Sequence, residues 1–561
     1  MRLLISLLAS LLVCKTAFAD MTPEQWESDL RELVTRIETV HPDPYHHISK
    51  KEFYKRVEKI SDGIPTTAPI EIQMQMMSLV SLLRDRHTAL LPLDPGGFNH
   101  WLPLYIYKFS DGFYITSATE PYKSLLGRKI LTIGNTPVLK VFEATADLHP
   151  SDNDFGRLQN TYYMSSLDVL HQLGFAEGTE AIELSIEDEN AKESATTVEA
   201  VNLPFNLHNT RSLGEMYGPT DRELFPSYHM AFQKLNVAEW RNKSLAENSK
   251  IPHYLRARRG YWYEYLPGQR AMYLAVNYST HDARNDFESF ASFLDEVFGV
   301  VDAQPVDKFI VDIRFNPGGD GSITLPLVHE FIRHEEINQK GRLFVLIGRK
   351  TYSAAQMIYA EMLKHTNALL VGEPAGAPVN GYGDPGTYHL TNSGMYLNIS
   401  TAYWQMGHPN DESWYPEIDL PFEFSGPDYV QGRDRAMEYL LALEAPYRSL
   451  PELLRSSSAE EYHEEAAHRE ELFGKYQWWR PFDERDMRFA ARELYDKGEQ
   501  TKGELGFQSL VKQYPDSWRA WRDYAQRVIN AGDKEKAKPL VEAGLKVNPG
   551  SEDLLELNES L

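Results

Sequence analysis

The sequence predicts a multidomain α/β protein, with a helical N-terminal region, a β-rich unit, an α/β core and a helical repeat tail. Three observations carry this. From about residue 260, strands apolar on both faces alternate with amphipathic helices. Short alternating strands with turn signals fill the stretch before it, and a 34-residue period marks the C-terminal end. At 561 residues, 42% apolar and 12% aromatic, the chain has material for two to four packed domains.

Residues 1–19, MRLLISLLASLLVCKTAFA, have a basic start, an apolar run and an Ala-x-Ala ending, which reads as a signal peptide. Cys14 follows Val13, where lipid attachment would want a small residue. Cleavage would leave no cysteine, hence no disulfide, no thiolate nucleophile and no Cys-based zinc site. The expected location is periplasmic or extracellular, and a chain exported without disulfides fits a bacterial envelope. Losing Arg2 and Lys15 moves the formal charge from −24 to −26, which argues against nucleic acid and anionic membranes as partners. No other segment approaches the ~20 apolar residues of a membrane span.

Residues 20–98 form the helical region. In TPEQWESDLRELVTRIETV, Thr22 can cap, Pro23 sits at the first helical position and Gln25 closes a capping box. Trp26, Leu30, Leu33, Val34 and Ile37 recur at helical spacing. A second helix, IEIQMQMMSLVSLLRD, runs into RDRHTALLP, which places His87 in a polar break between helix and strand. Over 99–205, WLPLYIYKFSDGFYITS, KILTI, EAIELSIED and TTVEAVNLP read as strands, with Asp-Gly and Gly-Asn turns. Residues 206–259 are polar and Pro-interrupted, a connecting segment. The core, 260–445, alternates AMYLAVNY, a helix, KFIVDIRF, a helix from Ile323, LFVLIG, the helix SAAQMIYAEMLK and ALLVGE. A linker, 446–482, precedes the repeats at 483–561, where QYPDS and VNPGS share the offset of Gly498 and Gly532.

Metal and nucleotide chemistry are not indicated. In HEFIRH and HEEAAH the histidines are five apart, so on a helix they diverge by about 140° and cannot share a metal. HPDPYHH reads as a Pro-broken loop. No phosphate-loop or Gly-x-Gly-x-x-Gly motif stands out, and no cofactor is expected.

Serine chemistry is indicated. Ser353 opens a helix after a buried strand, where backbone N–H groups lack partners and the helix dipole is positive. There the N–H of Ala354 can face a developing oxyanion. The plainer role of a serine at that place is to cap the helix. VDIRFNPGGDGS puts Gly318 and Gly319 just past a buried strand; glycine lets the backbone come close to a ligand, so Gly318 can supply a second donor. Its plainer role is a simple turn, as that of His87 is a surface histidine.

Arg-Asp-x-His-Thr, Asp-x-Arg-x-Asn-x-Gly-Gly and Thr-x-Ser-Ala-Ala together resemble the S41 serine peptidases, the tail-specific processing proteases and the tricorn core, over roughly residues 20–445. The resemblance implies a PDZ-like domain at 99–205 and a crotonase-like catalytic core at 260–445. Processing proteases of the family use a lysine about twenty-five residues after the serine. Here VGEPAGAPVNGYGD holds none, and no lysine occurs between Lys364 and Lys475. The tricorn-like branch uses a histidine from the helical domain, which implies His87 as general base. In the family a glutamate lies shortly before the strand that here begins Pro416-Glu417. Counting back falls on Asn410, beside Asp411 and Glu412, and Asp411 is the expected orienting carboxylate.

The function implied is an exported serine endopeptidase acting on peptides or unfolded envelope proteins through Ser353 and His87. The alternative is a catalytically silent ligand- or peptide-binding protein on the same fold. An α/β-hydrolase esterase is disfavoured, because no Gly-x-Ser-x-Gly surrounds Ser353. The repeat tail adds an expected surface for a protein partner or for self-association.

Overall fold

The computed structural model describes residues 21–92, 98–118, 120–202, 260–281, 289–411 and 413–561. The expected signal peptide and nearly all of the connecting segment lie outside the described residues.

The core is built on a six-stranded sheet in the order Tyr261–Leu266, Ala271–Val276, Lys308–Asp312, Leu343–Ile347, Leu369–Gly372 and Leu420–Pro421. Its first pair is antiparallel and the rest are parallel. The central strands are buried along their whole length, as expected when helices cover both faces. Helices Phe290–Ala303, Thr324–Arg333 and Ala354–His365 contribute Phe293, Val297, Leu327 and Ile358 to one apolar cluster. On the other face, helix Arg435–Ala442 contributes Ala436, Met437 and Leu440.

The N-terminal helix Pro23–Val40 has the expected capping box of Thr22 and Gln25. It is followed by Lys50–Gly63, whose first turn is capped by the Ser49 side chain, and by Pro69–Ser81. This region is not self-contained. Strand Ala89–Leu91 pairs with Tyr396–Trp404, which pairs in turn with Gly381–His389, so one small antiparallel sheet joins the N-terminal region to the core. That pairing carries the preceding residue, His87, to the core.

Residues 104–199 form an antiparallel sheet in which Leu104–Phe109 and Gly112–Ala118 make the Asp-Gly hairpin. Helix Val138–Thr145 packs Val141 and Phe142 on it.

The C-terminal end is helical: Glu484–Asp496, Gln500–Gln513, Trp518–Asn530, Lys534–Val547 and Glu552–Ser560. The segment 446–482, expected to be a linker, forms two further helices, Leu450–Ser456 and Ala459–Phe473. Leu450, Leu453, Leu454 and Tyr462 join the apolar core of the tail. The physical reason is burial: these four side chains remove apolar area from water by packing against Met487, Ala490 and Phe507.

Candidate active site

Ser353 stands at the start of helix Ala354–His365 with φ 55° and ψ −127°, a conformation that costs a residue with a Cβ roughly 1–3 kcal/mol. The conformation is held locally. The Ser353 amide donates to Gln356 Oε1 at 2.9 Å, and the Gln356 amide donates to the Ser353 carbonyl at 2.8 Å. The hydroxyl is aimed elsewhere, at His87 Nε2, 3.1 Å away. Helix capping, the ordinary task of a serine here, is therefore shared with Gln356, while Oγ faces the histidine.

His87 is delivered by the strand it precedes and braced by Asp85. This fully buried carboxylate accepts from the His87 amide (3.0 Å), the Thr88 and Ser400 hydroxyls (both 2.6 Å) and His41 Nε2 (3.1 Å). Burial pushes the Asp85 carboxyl up, but the hydrogen bonds from His41, Ser400 and Thr88 and the charge of His87 outweigh it and hold it at about 2. The imidazole of His87 is 13% exposed. Burial holds it below the ordinary histidine value, opposed by the Asp85 charge and by a hydrogen bond to the Tyr382 backbone, so it is neutral at pH 7.

The Asp-x-Arg-x-Asn-x-Gly-Gly stretch positions the glycines. Arg314 is buried between Asp312 and Asp434, with Nη2 donating to Asp434 Oδ2 at 2.8 Å. The Tyr352 amide donates to the Asn316 carbonyl at 3.1 Å, which ties the glycine turn to the residue before the serine. Gly318, at φ 110°, lies so close to Ser353 that a Cβ on it would sit 2.6 Å from the serine Cβ and 3.0 Å from the Ala354 nitrogen. Its own amide donates to Asn316 Oδ1 at 2.9 Å. A cavity of about 360 Å³ opens over these groups; His87, Ser353, Ala354, Gly319, Met357 and Trp404 are among its walls.

Four of the five expected residues thus converge: Ser353, His87, Gly318 and Ala354. Asp411 does not meet the imidazole. Its carboxylate accepts from the Ser413 amide at 2.9 Å within its own turn, and its amide donates to the His408 carbonyl. Glu412 lies outside the described residues. The group on His87 Nδ1 is the Tyr352 hydroxyl, at 2.8 Å, and the two rings stack with centroids 4.6 Å apart. Tyr352 shares the cavity wall with the buried Asp152, which raises the pKa of the tyrosine while the tyrosine lowers that of the carboxyl. The sequence held a faint sign of Tyr352, which adjoins the serine, and none of Asp152, whose polar run SDND reads as a loop.

The family model of peptidase family S41 matches residues 273–411, the stretch that holds the glycine turn, Ser353 and the following hairpin. Over that stretch the chain matches this family of peptidases. Among solved structures, mature CPAF complexed with lactacystin is similar at 12% identity and TM-score 0.50, covering 74% of this chain and 97% of that one. Mature CPAF alone gives 13% identity and TM-score 0.48, covering 74% and 96%. The photosystem II D1 C-terminal processing protease gives 13% and 0.31, covering 74% and 99%. At such identity the likeness to mature CPAF with lactacystin is one of fold. No curated protein matches the chain. The family match supports a peptidase function, which implies a peptide or protein substrate. Among the described residues no helix is long and apolar enough to cross a membrane.

Proposed function

We propose that the chain is an exported endopeptidase of the Ser-His type, cleaving peptides or unfolded proteins of a bacterial envelope. The observation that carries this reading is the 3.1 Å approach of His87 Nε2 to Ser353 Oγ, between a residue of the N-terminal region and one of the core. A neutral imidazole takes the hydroxyl proton as Oγ attacks the scissile carbonyl, then returns it to the leaving amine; water repeats the sequence on the acyl-enzyme. The Ala354 amide, at a helix N-terminus, and the Gly318–Gly319 turn receive the oxyanion. In the resting arrangement Asn316 Oδ1 holds the Gly318 amide.

On this reading residues 99–205 are a PDZ-like unit that presents substrate, residues 260–445 are a crotonase-like core, and the helical tail docks a partner or a second copy. Export rests on the character of residues 1–19. A fluorophosphonate probe should label Ser353 of the full chain, and Ser353→Ala should abolish both labelling and casein hydrolysis. Its melting temperature should stay within a few degrees, since a lost cap costs only about 1 kcal/mol. Unlabelled wild-type protein that binds peptides without cutting them would favour the silent binding protein instead.

A further inference from the structure

Asp85, the carboxylate nearest in sequence to the proposed base, is badly placed to orient it. Its Oδ1 is 4.0 Å from His87 Nδ1, and its oxygens already accept from an amide, two hydroxyls and His41. Nδ1 instead meets the hydroxyl of Tyr352, 2.8 Å away, on the residue next to the serine. The same cavity wall that holds Tyr352 and His87 also holds Asp152, a buried carboxyl brought in from the β-rich unit. The loop that carries it is clamped to the core. Asn153 Nδ2 donates to the carbonyls of Ala375 (3.0 Å) and Trp414 (2.6 Å), the Gln159 amide group donates to the Arg349 carbonyl, and the Arg86 amide donates to Asp152 Oδ2 at 3.3 Å.

A tyrosine hydroxyl against a histidine nitrogen can be read in two polarities. If Tyr352 donated to Nδ1, the imidazole proton would sit on Nε2 and point at Ser353, and the ring could not accept the serine proton. If Nδ1–H donates to Tyr352 Oη, Nε2 is bare and basic. An acceptor behind Tyr352 decides between them, because it takes the tyrosine proton. We propose, resting on the Ser-His reading, that Tyr352 and Asp152 are positioning residues for His87, Asp152 accepting from the Tyr352 hydroxyl and that hydroxyl accepting Nδ1–H, so that Nε2 is presented to Ser353 without a proton.

The charged groups around the relay are few. His87 faces Asp85, Arg86 and Asp384, and Asp152 faces Asp85 and Arg86. Burial and the Asp85 charge push the Asp152 carboxyl up to about 8, against the pull of Arg86 and the Tyr352 hydroxyl. Its ionised form is the stronger acceptor for the tyrosine proton, so the relay tightens as pH rises through that value.

Steady-state peptidase assays on full-length variants test this. Tyr352→Phe and Asp152→Ala should each lower kcat by about tenfold or more with KM little changed. Asp152→Asn, which keeps an acceptor oxygen but cannot ionise, should recover most of the loss and remove the limb of the pH–rate profile near 8. Wild-type kcat and an unaltered pH profile in Tyr352→Phe would overturn the relay. Loss of activity in all three variants with the limb still present in the residual rate would mark the pair as merely structural, and would overturn it as well. Should a variant fail to fold, the wild type still decides: the ¹⁵N-histidine spectrum, with His87 assigned by difference from His87→Gln, must show the proton on Nδ1, and a proton on Nε2 rejects the relay. If Ser353→Ala remains active, the fault lies with the Ser-His reading, not with the relay.

Discussion

Two buried carboxylates show how differently the catalytic junction and the helical tail handle charge. Asp523, in helix Trp518–Asn530, is 3% exposed and surrounded by guanidinium groups, with Arg488 and Arg492 at 3.3 and 3.4 Å and Arg522 at 2.7 Å. Asp152, at 5%, has the amide and the charge of Arg86 set against burial and the repulsion of Asp85. Nearby Lys350 is 4% exposed, and its Nζ has no hydrogen-bond partner among the described residues. Burial, then the charges of Arg86 and Arg349, hold that amine well below the ordinary lysine value. The tail compensates its buried charge. The junction leaves charge undercompensated and keeps Ser353 in a strained backbone conformation, as groups with displaced pKa values and strain collect where chemistry is done.

The comparison can be broken at four points, the loss of activity first and then the losses of stability in falling order. Removing the imidazole with His87→Ala should cut kcat by about 10² or more while the far-ultraviolet circular dichroism spectrum stays native. Wild-type kcat in that variant would move the base elsewhere.

Arg349→Ala comes next. Arg349 Nε and Nη2 bind Glu373 at 2.7 and 2.6 Å, both residues are buried, and Nη1 donates to the Lys108 carbonyl of the β-rich unit. Stranding Glu373 should lower stability by about 3–5 kcal/mol in a denaturant titration.

Acid should expose Asp85. Its folded carboxyl is depressed to about 2, so its contribution is complete above the ordinary aspartate value and is lost as pH falls through the folded one. The loss should be about 2 kcal/mol between pH ~4 and pH ~2. Asp85→Asn should be less stable at neutral pH but should lack this acid-dependent part. Identical acid unfolding curves would show that the carboxylate is not held in the bonded form.

The smallest effect belongs to the tail surface. Lys497 is 61% exposed and pairs with Glu493 at 2.7 Å, so Lys497→Ala should change stability by no more than about 0.5 kcal/mol and leave hydrolysis of a short peptide unchanged. A loss several times larger would mean that the tail surface, like the junction, is under electrostatic load.

What the sequence determined by itself is what depends on neighbours along the chain. The Thr22–Gln25 capping box, the Asp-Gly hairpin at 110–112, the buried strands of the core and the helix opened by Ser353 follow from periodicity, capping and turn chemistry, which act over a few residues. The Ser353 and Gly318–Gly319 motifs were legible for the same reason. Tertiary structure decided what faces what. His87 reaches Ser353 only because Ala89–Leu91 joins a sheet with residues 396–404, more than 300 positions away. Asp152 joins Tyr352 at the cavity wall only because Asn153 and Gln159 clamp its loop to the core. Asp411, chosen by counting along the chain, closes its own turn with Ser413. Residues 450–473, polar enough to read as a linker, fold because the repeats offer their few apolar side chains a surface to cover. A side chain's neighbours in sequence fix its local conformation, whereas its hydrogen-bond partner and its pKa depend on groups that only the folded chain brings within a few ångströms.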